Sequence, residues 1–202
     1  ADGSGRLYIG SWAGNGFSGG KEGYVVQVTP KGWKYVPFPD LKKQSADQLA
    51  ANLKSESKTM RFYAQQEFLR RATSGTQDAG KILAIAKDVS APLYGRVAAI
   101  FTYKQYLGEK STSALISLAE DAAVREWSLR AIADIKAQNG SLSSSIFTKY
   151  LKDPNPRVQV SATVALGRIN KADATDAILA NIQMDKTTEF FQELPAPEKK
   201  VD

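Results

Sequence analysis

The sequence predicts a mainly α fold: an α–α superhelix of about four to five helical hairpins, with a small antiparallel β element at its N-terminus. Three observations predict it. An apolar pattern at helical period holds from residue 40 onward. That pattern superposes on itself with an offset of 34 residues. Glycine is concentrated ahead of it, nine of the 15 falling in the first 32 residues. The step in composition divides the chain into a β hairpin or ribbon at 1–39, helical repeats at 40–182 and a polar tail at 183–202.

Two runs, 6–12 and 23–29, alternate with β-branched and aromatic residues and read as strands, preceded by a turn at Asp2-Gly3-Ser4-Gly5. The Gly-rich loop between them, 13–22, is too long for a tight hairpin, yet it lets its ends pair antiparallel. A third short run, 33–36, stops at Pro37-Phe38-Pro39. Strands this few and this short cannot bury a core alone. They are expected to fold back onto the first helical pair, with Trp33, Tyr35 and Phe38 as anchors.

Ser45-Ala46-Asp47-Gln48 has the form of a capping box and opens a helix carrying Leu49 and Leu53. Further helices are predicted over 60–71, 77–86, 93–107, 112–120, 123–138, 144–152, 157–170 and 173–182. The linkers carry Gly75, Pro92, Gly108, Gly140, Pro154 and Pro156, residues that end or begin helices. The tail, with Pro195, Pro197 and Lys199-Lys200, reads as extended.

The repeat is clearest where Val124 through Ile135 superposes on Val158 through Ile169, with apolar or small residues at the first, fifth, eighth, ninth and twelfth places. These places form one face of a helix. Weaker copies begin at Met60, with Ala64 and Phe68 in phase, and at Leu93, with Val97, Ile100 and Phe101. A hairpin of this kind cannot bury its stripe alone and must stack on its neighbours.

Composition narrows the chemistry. With no Cys and no His, thiolate and imidazole metal sites, a Cys nucleophile, a Ser–His–Asp triad and covalent haem attachment are excluded. The 27 basic and 21 acidic residues give a net charge of +6, short of the clustered charge of a dedicated nucleic-acid binder. No apolar stretch approaches a membrane span. The opening Ala1-Asp2-Gly3-Ser4 reads as a mature or excised segment.

Asp153-Pro154-Asn155-Pro156-Arg157-Val158 through Ala165-Leu166-Gly167-Arg168-Ile169 resembles the second-helix consensus of the HEAT-repeat family, and Val124-Arg125 through Ile135 is a second match. The resemblance covers about residues 41–182 and implies four hairpins plus one additional first helix, a HEAT-like, armadillo-like solenoid. The Trp-Leu-Gly-Tyr pattern of tetratricopeptide repeats and the Thr-Pro-Leu-His pattern of ankyrin repeats are absent. Gly5-Arg6-Leu7-Tyr8-Ile9-Gly10-Ser11-Trp12, with Gly23 through Val28, looks like the closing strands of a β-propeller. Together the segments are similar to exported bacterial proteins in which a sugar-dehydrogenase-like propeller precedes HEAT repeats, often with a cytochrome c module after them. That resemblance implies a periplasmic or extracellular location. The chain lacks most of a propeller and any Cys-x-x-Cys-His, so no catalytic, cofactor or metal residue carries over.

Helical phase places Phe62, Gln66 and Arg70, then Ala99 and Tyr103, then Glu126, Arg130 and Asp134, then Val164 and Arg168 on the outward face of the second helices. In solenoids that row lines the concave surface, and it is the candidate binding face. Arg70, Arg130 and Arg168 suit phosphates or an acidic partner, but Glu126 and Asp134 interrupt the row and favour a solvated mixed-charge face. Asp121 and Asp153 are expected to cap and brace the turns within hairpins. Trp127 is expected to fill space between adjacent hairpins, and the Gly14-Asn15-Gly16 loop to be plain surface. The function expected is non-catalytic protein interaction or scaffolding, with a protein or other domains of a parent chain as partner, no cofactor and no enzyme activity of this chain alone. The competing class is a HEAT-fold nucleic-acid-binding protein or DNA glycosylase-like enzyme. Its aromatic–carboxylate constellation is missing here.

Overall fold

The structure, a computed structural model, describes residues 6–12 and 23–181. The turn at 2–5, the loop at 13–22 and the tail at 183–202 therefore lie outside the described residues. Strand β1 (Leu7–Trp12) pairs antiparallel with β2 (Gly23–Val28), setting Leu7 opposite Val28 and Ile9 opposite Val26. Residues 33–36 form no strand. Pro37 and Pro39, directly after them, carry no N–H for a ladder.

The ribbon does not fold back onto the helices. Every residue of β2 is exposed, and Leu7, Ile9, Val26 and Val28 remain exposed on one face of the pair. Two of the expected anchors find partners inside the N-terminal segment. The Trp33 and Tyr35 rings meet edge-on at 6.2 Å, and Arg6 lies 5.8 and 5.6 Å from them. Only Phe38 reaches the helical region, its ring 5.1 Å from Tyr63.

The helices are α1 (Ala46–Leu53), α2 (Lys58–Ala72), α3 (Ala79–Lys87), α4 (Leu93–Leu107), α5 (Thr112–Leu118), α6 (Arg125–Ile132), α7 (Ser145–Thr148), α8 (Pro156–Ile169) and α9 (Ala172–Leu179). The capping box forms as the sequence predicts: Gln48 N–H donates to Ser45 Oγ at 3.2 Å, and Ser45 N–H donates to Gln48 Oε1 at 2.8 Å. Helices α1/α2, α3/α4, α5/α6 and α7/α8 pair as hairpins, and α9 packs on α8 as an additional first helix. The second helices α2, α4, α6 and α8 stack side by side in chain order. The chain is thus a helical solenoid with a two-stranded ribbon at its N-terminal end. Predicted helix 123–138 breaks after Ile132 and resumes as a 3-10 turn at Lys136–Gln138. The buried Asn139 amide closes that break by donating to the Ala133 carbonyl at 3.2 Å.

One side chain recurs at the start of each second helix and reaches back to the carbonyls that precede it. Arg61 donates to Ser55 and Glu56 (2.7 and 2.9 Å), Arg96 to Ala86 (3.0 Å), Arg125 to Ala119 and Glu120 (2.8 and 2.9 Å), and Gln159 to Asp153 (2.7 Å). These contacts fix the repeat frame. Three residues after each pin come buried Ala64, Ala99, Ser128 and Ala162; four residues further on come buried Phe68, Tyr103, Ile132 and Leu166. The copy in α4 is therefore set by Arg96, two residues later than the Leu93 start, and Leu93 itself is exposed. Helix α4 packs against α1, α2, α3 and α6, so its apolar residues surround it and mark no single stripe. Gly95 permits the α1 contact, since a Cβ there would stand 3.1 Å from the Lys54 Cα.

Polar bridges join successive hairpins. Arg96 donates to the Asp121 carboxylate at 2.6 Å and Arg125 to the Asp153 carboxylate at 3.0 Å. Each carboxylate also accepts a backbone N–H of its own turn at 2.9 Å, from Ala123 and Asn155 respectively. Bracing within and between hairpins is what both aspartates do. At the N-terminal end, Arg71 donates to the Gln44 carbonyl at 2.7 Å and Leu41 is buried beside α2. Residues 38–44 thus cover the flank of α2 where a solenoid would otherwise stand open.

Candidate functional site

Side chains left outward on the second helices border three depressions. A groove of about 550 Å³ between α2 and α4 is lined by Phe62, Leu93, Tyr94 and Val97 and reaches Trp127 on α6. A second, of about 450 Å³, runs between α6 and α8. Ala133, Val160, Val164 and Ala165 form its apolar part, with Glu126, Arg130, Asp134, Arg157 and Arg168 around them. A third, of about 350 Å³, lies between the 38–42 segment and α2 and includes Gln66 and Arg70.

The candidate row divides among these places. Glu126, Arg130, Asp134 and Arg168 come together in the α6–α8 groove. Phe62 is 52% exposed in the α2–α4 groove. Gln66 and Arg70 stand apart from both, at the N-terminal end. Tyr103 does not belong to the face: it is 7% exposed, and burial raises the pKa of its hydroxyl. Ala99 is buried with it. Both errors follow from the two-residue phase slip in α4.

Local bonding decides which cations are available. Arg70 forms a fork with Glu67 at 2.6 and 2.7 Å, and Arg71 donates to the same carboxylate at 2.7 Å. The Arg70 hydrogen bond first, then Arg71, hold Glu67 down to a pKa of about 2 against the opposing effect of its burial. Arg157 forms a fork with Glu126 at 3.0 and 3.2 Å. Arg168 meets the Asp134 carboxylate at 3.5 Å and the Ala133 and Asp134 carbonyls at 3.4 Å. Arg130 has no carboxylate partner among the described residues; its guanidinium lies 5.4 Å from the centre of the Trp127 ring. Trp127, half-buried against the core, also takes Arg157 of the next hairpin at 5.9 Å, in keeping with a space-filling role between hairpins.

Sequence reasoning missed Tyr94 and Val160 as parts of these grooves. The signal for Val160 was present, since the 34-residue offset maps it onto Glu126, so an exposed valine was legible one repeat after a glutamate. No cluster of three metal-ligating side chains occurs among the described residues, and no helix there is long and apolar enough to cross a membrane.

The HEAT-repeat family model matches residues 109–190, a span that contains the α5/α6 and α7/α8 hairpins and α9. That match and the stacked hairpins together support a HEAT-repeat solenoid, a class of module that mediates protein interaction and scaffolding. No curated protein matches the chain.

Proposed function

We propose that the chain is a non-catalytic protein-interaction or scaffolding module that works through the outward face of its second helices, within an exported, dehydrogenase-like multidomain protein. One observation carries the first half of this reading. Exposed Phe62, Tyr94, Val160 and Val164 are grouped in two grooves on that face, and apolar side chains grouped in a polar-rimmed groove mark an interaction site. The charges around them are mixed, with Glu126 and Asp134 among the arginines, which suits a folded or peptide partner better than a polyanion.

The second half is supported by the ribbon. Its apolar residues are paired in register yet exposed, as expected of strands whose neighbours belong to another part of a parent protein. A periplasmic or extracellular location goes with that parentage. A photo-crosslinking amino acid at Phe62 or Val164 in the native host, compared with one at exposed Ser113 on α5, tests the reading. Polypeptide adducts at the first two positions and none at Ser113 are expected. Adducts to nucleic acid would replace it with the competing class.

A further inference from the structure

We infer that the α6–α8 groove takes an extended peptide segment in which an acidic residue stands beside an aliphatic or aromatic one. The inference rests on the protein-interaction reading and specifies the partner chemistry at one groove. Its apolar part is open to water: Val160 is 62% exposed and Val164 50%, one turn apart on α8. A space of about 450 Å³ accommodates one or two large side chains, which would displace water from both valines.

The charges around that space fix the complementary group. Arg157 is taken up by Glu126 through two hydrogen bonds. Arg168 meets the Asp134 carboxylate at 3.5 Å, the outer limit of a hydrogen bond, and the Ala133 and Asp134 carbonyls at 3.4 Å. Arg130 is held by the Trp127 ring, a contact that restrains the guanidinium without using its N–H groups. A guanidinium with free N–H groups matches a carboxylate in a two-point fork. Asp134 beside it repels a dianion or a polyanion, so a single carboxylate fits better than a phosphoryl group or a nucleic-acid backbone. In the repeat frame Arg130 stands level with Val164, so a carboxylate on Arg130 sets the neighbouring side chain of the same peptide over Val160 and Val164.

Fluorescence anisotropy on the full chain tests this, with fluorescein-labelled Gly-Glu-Leu-Phe-Glu-Gly as probe. The comparators are Gly-Lys-Leu-Phe-Lys-Gly, Gly-Glu-Ser-Ser-Glu-Gly and a short DNA duplex. The acidic–apolar probe is expected to bind at least about tenfold more tightly than any comparator. Arg130→Glu and Val164→Asp should each weaken it by about tenfold or more, and Lys87→Glu on α3 should leave it unchanged. Equal binding of the lysine peptide or the duplex would overturn the inference. So would the absence of binding at about 1 mM, or an Arg130→Glu chain that melts like its parent and binds as well. If crosslinks at Phe62 and Val164 persist while the probe fails, the interaction reading stands and the partner chemistry assigned here falls.

Discussion

Arg125 of α6 and Asp153 of the following hairpin form a 3.0 Å ion pair in which the carboxylate is almost wholly buried. Removing the cation leaves that carboxylate without its charge partner, a change that costs about 3–5 kcal/mol for buried pairs. Arg125→Ala should therefore lower stability to urea by about 3 kcal/mol. The Arg157→Ala change removes a far more exposed cation and should cost less than about 1 kcal/mol. Equal midpoints for the two variants would contradict the bridging role.

Leu166 is fully buried in α8, in the place that Phe68, Tyr103 and Ile132 occupy in earlier repeats. Its replacement by alanine should cost about 2–5 kcal/mol in chemical denaturation. Lys152→Ala, at an exposed position two residues after the buried Tyr150, should stay within about 0.5 kcal/mol. A small loss for Leu166→Ala would refute the repeat frame.

Glu67 joins Arg70 and Arg71, and its pKa lies near 2 in the folded chain against 4.5 ordinarily. A carboxylate depressed on folding adds stability above its unfolded pKa and loses it as pH falls through the folded value. The difference in melting temperature between the parent and Glu67→Gln should thus be full above pH 4.5 and shrink toward pH 2. A constant difference across that window would show that the fork carries no charge-dependent stability.

Lys104 is buried near the C-terminal end of α4 with no hydrogen bond to its ammonium among the described residues, and burial lowers its pKa. Glu109 and Asp134 offset part of that cost from a distance. Lys104→Met keeps the length of the stem and removes the charge, so stability at neutral pH should rise by about 1 kcal/mol. The gain should narrow as pH climbs toward 10.5, where the lysine is losing its proton in the unfolded chain too. A destabilised Lys104→Met variant at pH 7 would mean that the ammonium has a favourable partner.

Much of the solenoid was legible in the sequence because hairpin packing is local. The Ser45 box, the stripe in α8 and the turn hydrogen bonds at Asp121 and Asp153 follow from residues a few positions apart, but the ion pairs of these aspartates with Arg96 and Arg125 span 25 and 28 positions. What escaped depends on distant partners. Arg70 has its partner three residues back at Glu67, a spacing the helix makes legible, whereas the Arg157–Glu126 fork beside Arg130 spans 31 positions. Tyr103 was misplaced because α4 is enclosed on several sides, which erases the one-sided pattern that phase assignment needs. The ribbon failed in the other direction: alternation predicts strands but does not say which surface they lean on.

Deleting residues 1–36 removes the ribbon but keeps Phe38 and Leu41. Since the strands leave their faces exposed, amide protection in α1 and α2 should be unchanged. Deletion through residue 44 also removes Leu41 and the carbonyl that Arg71 holds, and should lower protection there while the α8 region persists. Loss of α1–α2 protection in the shorter deletion would show that the ribbon supports the helices after all.

The pins that open the second helices do not all end alike. Arg96 and Arg125 continue to a carboxylate of the next hairpin, whereas Arg61 continues to the face of Tyr94, 4.6 Å from the ring centre. The carboxylate joints hold Arg96 and Asp153 out of water, where salt screens them little. The first two hairpins instead share the exposed pair Lys81–Asp47, so rising ionic strength should soften that joint before the next two. Stretched between its ends, the superhelix behaves as a spring of unequal coils, and salt selects which coil opens first.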